Sequence, residues 1–553
     1  MPKRPHPPPP GRRKKTPKVW CLKRRMIAVE LEESGERWRS GDVAKAGRFF
    51  VQAIAAYEST LARYPDNFDA RYNRARLQYT LTQLPLPTTF FPATSTAESR
   101  LLSAVEAHRE CNDLEKNSSD ILFNYGQTLH SLGEFYSNKP ESEEDDDEDE
   151  SREIARLERA KAAFEQSWET LRQCLTVQEG EYKSQSLNPL PEDDDMNDEE
   201  EGDSSEEAED GGIKLPTAER RNSSASSRSS NSAGGNSTQW ATILEPTTKL
   251  SILDTALTML EVQTAILSTL SSSPHLTRKL ITQSHLENLT SHASSTLQNY
   301  ILPIASTLHT PETSQLLSLE PTEIKEKELE SLLSRANFLT ALSETKYHLS
   351  LSTPDLWESD LKSAFSPFQL HENDPIDPTT SWMTLCDRST AYTTLSTTIH
   401  PSHPLKSWKL LSTIPVQDLT SAVKLAPEKE KPGIYLARGN LELLRSRVNA
   451  EPALRGKEVL LKNAGVYYRG VIAAAGSGLI GAVDGVKVKE LAEEAKIKES
   501  IIKLELEGDI LPLKTIIRGG VAREAVWRIL KTAVEEGLFG REILTPVETV
   551  LRA

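Results

Sequence analysis

One nine-residue pattern occurs near both ends of the chain and constrains the fold more than any other feature. Residues 46–54 read AGRFFVQAI and residues 464–472 read AGVYYRGVI. In both segments a small residue precedes the second aromatic residue by four positions, so the two share one face of a helix. The small residue lets a neighbouring helix approach closely, and the aromatic ring fills the space beside it. The pattern therefore predicts helices that pack in close pairs.

Helical spacing of apolar residues extends well beyond these two segments. Residues 151–178 place apolar side chains at steps of three or four, and residues 245–353 do the same. Alternating apolar runs, which are typical of strands, are almost absent. The sequence therefore predicts an all-α fold.

The repeated pattern resembles the second helix of a tetratricopeptide repeat, in which a small residue is followed by an aromatic residue four positions later and a small residue three positions after that. Ala46, Phe50 and Ala53 fit this pattern, and Ala464 and Tyr468 fit its first two positions. The other residues that carry the resemblance are Tyr125, Gly126, Leu129, Gly133, Ala160, Phe164, Ala422, Pro427, Tyr435 and Gly439.

The chain is thus similar to a tetratricopeptide repeat protein of fungal type, over about residues 29–178 and 415–475. The resemblance implies an α-solenoid of antiparallel helix pairs, in which these residues pack the repeats and a partner protein or peptide binds the concave face. Between 245 and 410 the motif is degenerate. The clamp that holds chaperone tails in this superfamily is not matched, because Gln127 follows Gly126.

The acidic residues are concentrated in two tracts. The net charge is −16, yet residues 141–150 contain nine acids and residues 192–210 contain thirteen, while the rest of the chain has 59 acids and 65 bases. Such tracts repel themselves and attract basic proteins over long distances. They indicate either a contact with a basic partner or a solubilising insertion.

The sequence suggests five segments. These are a disordered basic, Pro-rich arm (1–28), tetratricopeptide-like repeats (29–178) with an acidic loop (137–150), a disordered acidic and Ser-rich linker (179–244), a helical region of degenerate repeats with loops (245–414), and a C-terminal tetratricopeptide-like region (415–553).

Short motifs suggest targeting and regulation. Two basic clusters in the arm, formed by Arg12, Arg13, Lys14, Lys15 and by Lys23, Arg24, Arg25, have the form of a two-part nuclear import signal, a nucleic-acid contact or a solvated tail. Ser204, Ser205 and Ser223 are candidate phosphorylation sites. Four widely spaced cysteines favour a reducing compartment, so we expect the nucleus, the cytoplasm or both.

The sequence contains only weak matches to motifs for nucleotide binding or metal binding. Residues 476–481 match GxGxxG, but a dinucleotide site needs a strand before the glycines, and the preceding segment has helical character. His400 and His403 lie beside prolines without a neighbouring carboxylate or thiol, so we expect no metal site. No apolar run reaches the length of a membrane span. We also expect no catalytic residues and no cofactor.

The sequence therefore favours a non-enzymatic scaffold that binds one or more proteins, a basic protein among the candidates, rather than nucleic acid, a membrane or a small-molecule substrate. One alternative is an assembly chaperone for a basic nuclear or ribosomal protein that uses the acidic tracts. The other is an enzyme-associated helical protein with a nucleotide site at 476–481.

Overall fold

The computed structural model describes residues 17–86, 90–92, 94–138, 150–187, 247–308, 310, 320–368, 381–476 and 482–552. These residues form α-helices and short turns of other helix types, with no strand among them. The prediction of an all-α fold is confirmed.

Six helices make up the N-terminal part of the chain. They are α1 (Pro17–Arg39), α2 (Val43–Leu61), α3 (Phe68–Gln83), α4 (Ala97–Leu114), α5 (Ser119–Ser137) and α6 (Glu150–Leu187).

Six more helices form the middle of the chain. They are α7 (Lys249–Ser271), α8 (Pro274–Leu280), α9 (Gln283–Thr296), α10 (Leu302–Thr307), which follows a π turn at Leu297–Ile301, α11 (Pro321–His348) and α12 (Pro354–Phe365), which is followed by a 3-10 turn at Ser366–Phe368.

The C-terminal part contains the remaining helices. They are α13 (Trp382–Ile399), α14 (Pro404–Leu411), α15 (Ile414–Leu425), α16 (Lys431–Arg447), α17 (Glu451–Gly476), α18 (Ala482–Glu507), α19 (Leu511–Arg518), α20 (Arg523–Glu535) and, after a 3-10 turn at Arg541–Ile543, α21 (Leu544–Arg552).

Local sequence signals define where many helices begin. The side chains of Asp42, Asn67 and Thr96 each accept a hydrogen bond from the backbone N–H three residues later, at the starts of α2, α3 and α4. Proline occupies the first turn of α8, α11 and α12, where its missing N–H has no intrahelical partner to lose. These caps satisfy amide groups that a helix start leaves unpaired.

Consecutive helices stack side by side in antiparallel pairs, which gives a solenoid-like fold. Within the pairs α1 packs on α2, α3 on α4, α5 on α6 and α16 on α17. The first helices of successive pairs also touch one another, and we call them the inner layer: α3, α5, α7, α11, α13, α16 and α18. Each pair therefore buries its apolar face against its neighbours.

Glycine–aromatic contacts set the close approach within several pairs. A Cβ atom on Gly133 of α5 would lie 2.6 Å from Cδ1 of Phe164 on α6, and one on Gly439 of α16 would lie 2.6 Å from Cε1 of Tyr468 on α17. Gly35 of α1 faces the ring of Phe50 in the same manner. Phe50 and Tyr468, the second aromatic residues of the repeated nine-residue pattern, thus occupy equivalent places in two distant pairs.

The core continues from α6 to α7, across the segment 188–246 that lies outside the described residues. Leu157, Phe164 and Leu171 of α6 share one apolar cluster with Leu253 and Leu260 of α7. This cluster joins the N-terminal repeats to the middle of the chain.

Two helices extend beyond the predicted segment boundaries. Helix α1 begins at Pro17, inside the arm predicted to be disordered, and a proline at a helix start is well tolerated. Helix α6 continues past residue 178 to Leu187, because its last turns hold the start of α7. There the Glu181 carboxylate accepts hydrogen bonds from Ser119 Oγ at 3.1 Å and Thr247 Oγ1 at 2.5 Å.

Helix α7 is, within the described part of the chain, the one helix long and apolar enough to cross a membrane by length and composition alone. Polar residues interrupt its apolar sequence, so it contains no uninterrupted apolar run. It packs between α6 and α11, and most of its side chains are buried. These contacts are those of a core helix in a helical stack.

Candidate binding surface

Three successive helices of the inner layer bring glutamates together. Glu134 lies on α5, Glu261 on α7 and Glu330 on α11. The surrounding protein raises the pKa of Glu261, the like charges of Glu330 and Glu134 raise it further, and Lys327 opposes the rise. The carboxylate of Glu261 nevertheless remains open to solvent. We call Glu134, Glu261 and Glu330 the inner acidic group.

One lysine neutralises only part of this charge. Lys327 Nζ lies 2.8 Å from Asp254 Oδ1 and 2.8 Å from Glu330 Oε2. The pKa of Lys327 is lowered by burial, but its hydrogen bonds to the two carboxylates outweigh this effect and leave the pKa raised. Lys327 is therefore charged at neutral pH, and its single charge is fewer than the carboxylates of Asp254, Glu261 and Glu330 that it faces.

Polar contacts also link the inner helices on the N-terminal side of this group. Asn124 of α5 donates a hydrogen bond to the Tyr72 hydroxyl of α3 at 2.8 Å. The Tyr79 hydroxyl lies 3.0 Å from Ser131 Oγ. On the C-terminal side, Asn337 of α11 donates to Asp387 Oδ2 of α13 at 3.0 Å. Polar side-chain contacts therefore join neighbouring helices of the inner layer over several repeats.

A further polar network lies where α16, α17 and α18 meet. The Tyr468 hydroxyl donates to Asn440 Oδ1 at 2.8 Å, and Lys498 Nζ donates to the same oxygen at 3.2 Å. Lys498 also lies 2.6 Å from Glu494 Oε1. Asn440 therefore joins the core aromatic residue of the last repeat to the inner layer.

The residues singled out for repeat packing lie mainly between helices and not on this surface. Tyr435 is half-buried and Pro427 is exposed. The others are buried: Ala46, Phe50, Ala53, Tyr125, Gly126, Leu129, Gly133, Ala160, Phe164, Ala422, Gly439, Ala464 and Tyr468. The small–aromatic pattern marks the contacts within helix pairs, whereas the inner acidic group has no local sequence signature.

The acidic tracts join the fold at opposite ends of α6. One end is defined by Arg156, which donates to the carbonyl oxygens of Tyr136 at 3.0 Å and Ser137 at 2.6 Å. The other end is defined by the contact of Glu181 with Thr247. We call these two places the tract roots. Except for Glu150, the tract residues themselves lie outside the described residues.

Several predicted motifs also lie outside the described part of the chain. These are Arg12, Arg13, Lys14 and Lys15 of the basic arm and the serines Ser204, Ser205 and Ser223. Lys23, Arg24 and Arg25 fall within helix α1, and their side chains are not described. The import-signal and phosphorylation assignments remain predictions.

The glycine-rich motif follows a helix. Gly476 is the last residue of α17, and 477–481 lie outside the described residues. A strand before the first glycine would present phosphate to a following helix, and α17 does not provide that geometry.

The cysteine and histidine side chains of the described residues form no metal-binding cluster. No group of three or more His, Cys, Asp or Glu side chains there could hold a metal ion. His400 Nε2 accepts a hydrogen bond from the Asn449 N–H at 3.0 Å. Burial raises the pKa of Cys111 to about 11 and that of Cys174 to about 12, so both thiols are protonated at neutral pH.

These features define an all-α, solenoid-like helical-repeat protein with a polar, partly acidic inner surface. No protein-family model matches the chain. Over 110 residues it is 34% identical to a UPF0656 protein of Schizosaccharomyces pombe, a match that covers 20% of this chain and 23% of that protein. The match thus spans less than a quarter of the curated relative.

Among solved structures, the chain is similar to a circular tandem repeat protein with novel repeat topology and enhanced subunit contact surfaces. The sequence identity is 12%, the TM-score is 0.23, and the alignment covers 97% of this chain and 96% of the other.

Proposed function

We propose that this protein is a non-enzymatic scaffold of tetratricopeptide type that binds a partner protein or peptide on the inner layer. The proposal rests on the inner acidic group, because three repeats present carboxylates to one surface and Lys327 neutralises only part of their charge. A stacked array of helix pairs offers an extended surface for a partner. The glycine–aromatic contacts within pairs support the assignment to the tetratricopeptide type.

A second proposal concerns the chemistry of the partner. An assembly chaperone for a basic nuclear or ribosomal protein would use both the inner acidic group and the acidic tracts. The location of the tract roots supports this reading, since they lie at the two ends of α6 while Glu134 and Glu261 lie on the neighbouring helices α5 and α7. Carboxylates on a surface and at its edges attract a basic chain and fix its orientation.

Affinity purification with mass spectrometry, followed by binding of the purified partner, tests both proposals. We expect the double variant Glu134→Lys, Glu261→Lys to lose a partner that the wild-type protein retains. Both side chains are open to solvent, so the substitutions should leave the fold intact. The matched control is Glu458→Lys on the outer helix α17, whose side chain is also exposed. Equal binding by all three proteins would overturn the scaffold proposal.

Salt dependence separates the two proposals. A basic partner held by the acidic surface and tracts should bind much more weakly as the salt concentration rises. Deleting 141–150 and 192–210 should weaken it further. A partner that needs Glu261 but is insensitive to salt and to these deletions would support a scaffold and exclude the acidic chaperone.

Localisation and nucleotide binding are tested separately. We propose residence in the nucleus, the cytoplasm or both, and replacing Arg12 to Lys15 with alanine should move the protein out of the nucleus. The enzyme-associated reading is disfavoured by the helix before Gly476. If a nucleotide stabilised the wild-type protein against thermal unfolding but did not stabilise Gly478→Asp, the enzyme-associated alternative would be supported.

A further inference from the structure

A polar cavity lies about 21 Å along α11 from Glu330, taking 14 residues at a rise of about 1.5 Å each. Its volume is about 470 Å³. It is formed where the ends of α7, α11, α13 and α16 meet the turn that follows α20. The cavity therefore joins the middle of the chain to its C-terminal helices.

One wall of this cavity carries two polar side chains that are mostly enclosed. Glu344 and His348 lie one turn apart on α11, and 21% and 6% of their side chains are exposed. Glu344 Oε1 lies 3.8 Å from His348 Nε2, which is too long for a hydrogen bond. Neither side chain has a hydrogen-bond partner among the described residues. Both residues line the cavity.

Two further glutamates line the cavity. Glu535 and Glu536 end α20, and Gly537 turns the chain with a φ of 74°, a conformation that glycine adopts readily. The pKa of Glu536 is raised by burial and by the neighbouring charges of Glu494 and Glu535, against a lowering by Lys498. The negative charge of these two glutamates is therefore only partly compensated.

The arginine that lines the cavity already forms hydrogen bonds with other groups. Among the described residues that line it, Arg447 is the only Lys or Arg. Its Nε donates to the Leu538 carbonyl oxygen at 3.2 Å, and its Nη2 donates to Glu505 Oε2 at 2.5 Å. Glu344 and Glu535 thus line the cavity beside an arginine whose guanidinium is engaged elsewhere, whereas Lys498 compensates part of the charge of Glu536.

We propose that this cavity binds the amine or guanidinium head of an organic cation. Such a head supplies several N–H donors and a positive charge to Glu344, the other two glutamates and the His348 ring. The side chains of Leu411 and Leu444 also line the cavity and offer apolar contact to an alkyl stem. The volume is that of ordinary small-molecule sites. The head belongs to a free amine or to a Lys or Arg side chain of a bound polypeptide, and the second source rests on the proposed scaffold function.

Calorimetric titration of the full-length protein tests the proposal and distinguishes the sources. The free probes are spermidine and agmatine, and the peptide probes are a short arginine peptide and its citrulline counterpart. We expect saturable binding of one molecule per chain, weakened at least tenfold by Glu344→Gln and also by His348→Phe. The matched control is Glu326→Gln, an exposed residue of the same helix, and it should bind as the wild type does.

The titration results decide whether the cavity binds a cation and which kind of cation it binds. Binding of a free amine that depends on Glu344 assigns the cavity to small cations. Binding of only the arginine peptide, with the same dependence, assigns it to a polypeptide side chain. Failure of all probes, or equal binding by wild type and Glu344→Gln, overturns the proposal. A partner protein that requires Glu261 but not Glu344 would leave the scaffold function standing while the cavity proposal fails.

Discussion

Arg438 and Glu442, one turn apart on α16, form an ion pair inside the fold. Arg438 Nη1 lies 2.5 Å from Glu442 Oε1, and 7% and 1% of the two side chains are exposed. Arg445 lies 2.8 Å from the other carboxylate oxygen. The rings of Tyr467 and Trp408 lie 5.0 Å and 5.1 Å from the two guanidinium groups. The Glu442 carboxylate therefore compensates one buried cation and one half-buried cation.

Removing this carboxylate should destabilise the C-terminal repeats strongly. We expect Glu442→Leu to lower the free energy of unfolding by about 3–5 kcal/mol, because it leaves buried guanidinium groups uncompensated. The double variant Arg438→Met, Glu442→Leu should recover part of this loss, because it also removes the more deeply buried cation, while Arg445 is left with 15% of its side chain exposed to water. Urea unfolding followed by circular dichroism measures both. Additive effects of the two single substitutions would contradict the shared-charge interpretation.

Gln263 on α7 offers the opposite case, a position where an apolar residue should stabilise the protein. Its side chain is fully buried, and neither amide atom has a hydrogen-bond partner among the described residues. An unpaired buried amide is unfavourable by about 1–3 kcal/mol. We therefore expect Gln263→Leu to raise the thermal midpoint, whereas Gln283→Leu at an exposed site of α9 should leave it nearly unchanged. A lower midpoint for Gln263→Leu would show that the amide is paired in solution.

His108 on α4 should make the protein sensitive to acid. It is buried with no partner for either ring nitrogen in the described part of the chain, and burial lowers its pKa to about 4. A histidine whose pKa falls on folding binds its proton better when unfolded, so stability declines from about pH 6.5 down to about pH 4. The decline amounts to about 3 kcal/mol. In His108→Met, the urea midpoints measured across this pH range should lose that part of the pH dependence. An unchanged pH profile would show that other groups cause the decline.

Gly133 should tolerate no side chain, because its missing Cβ makes room for Phe164. We expect Gly133→Ala to destabilise the protein by about 1–3 kcal/mol through overpacking. Gly180 on α6 is the matched control, since a Cβ there meets nothing within 4 Å. Gly180→Ala should stabilise the helix by about 0.5–1 kcal/mol. Thermal unfolding of the two variants checks both signs, and a neutral Gly133→Ala would show that α5 and α6 can separate slightly.

The sequence predicts the helices better than it predicts the surface they form. Helical spacing and the small–aromatic pattern point to Phe50, Phe164 and Tyr468 as core residues, because one chemical requirement repeats at one spacing. No such rule joins Glu134, Glu261 and Glu330, which come from three repeats and meet only through the stacking of α5, α7 and α11.

In the middle of the chain, too, the sequence predicts helices but does not predict how they are arranged. There the motif is degenerate because Leu253, Leu257 and Leu260 supply the packing, and leucine at helical spacing does not specify a repeat type. The buried charges are also unexpected from sequence. Arg438 and Glu442 sit at positions where an apolar pattern predicts core residues, and only the surrounding helices show why they can be buried.

Helix α6 sets the distance between the two tract roots. Arg156 and Glu181, which mark the two roots, lie 25 residues apart on α6, and this separation corresponds to about 38 Å. An extended polypeptide gains roughly 3.4 Å per residue, so a segment of about 11 residues is the shortest that could touch both roots at once. Shorter basic peptides would engage one root at a time and gain nothing from the second. Affinity should therefore rise steeply with peptide length near this threshold, a bivalent response that a single acidic patch would not give.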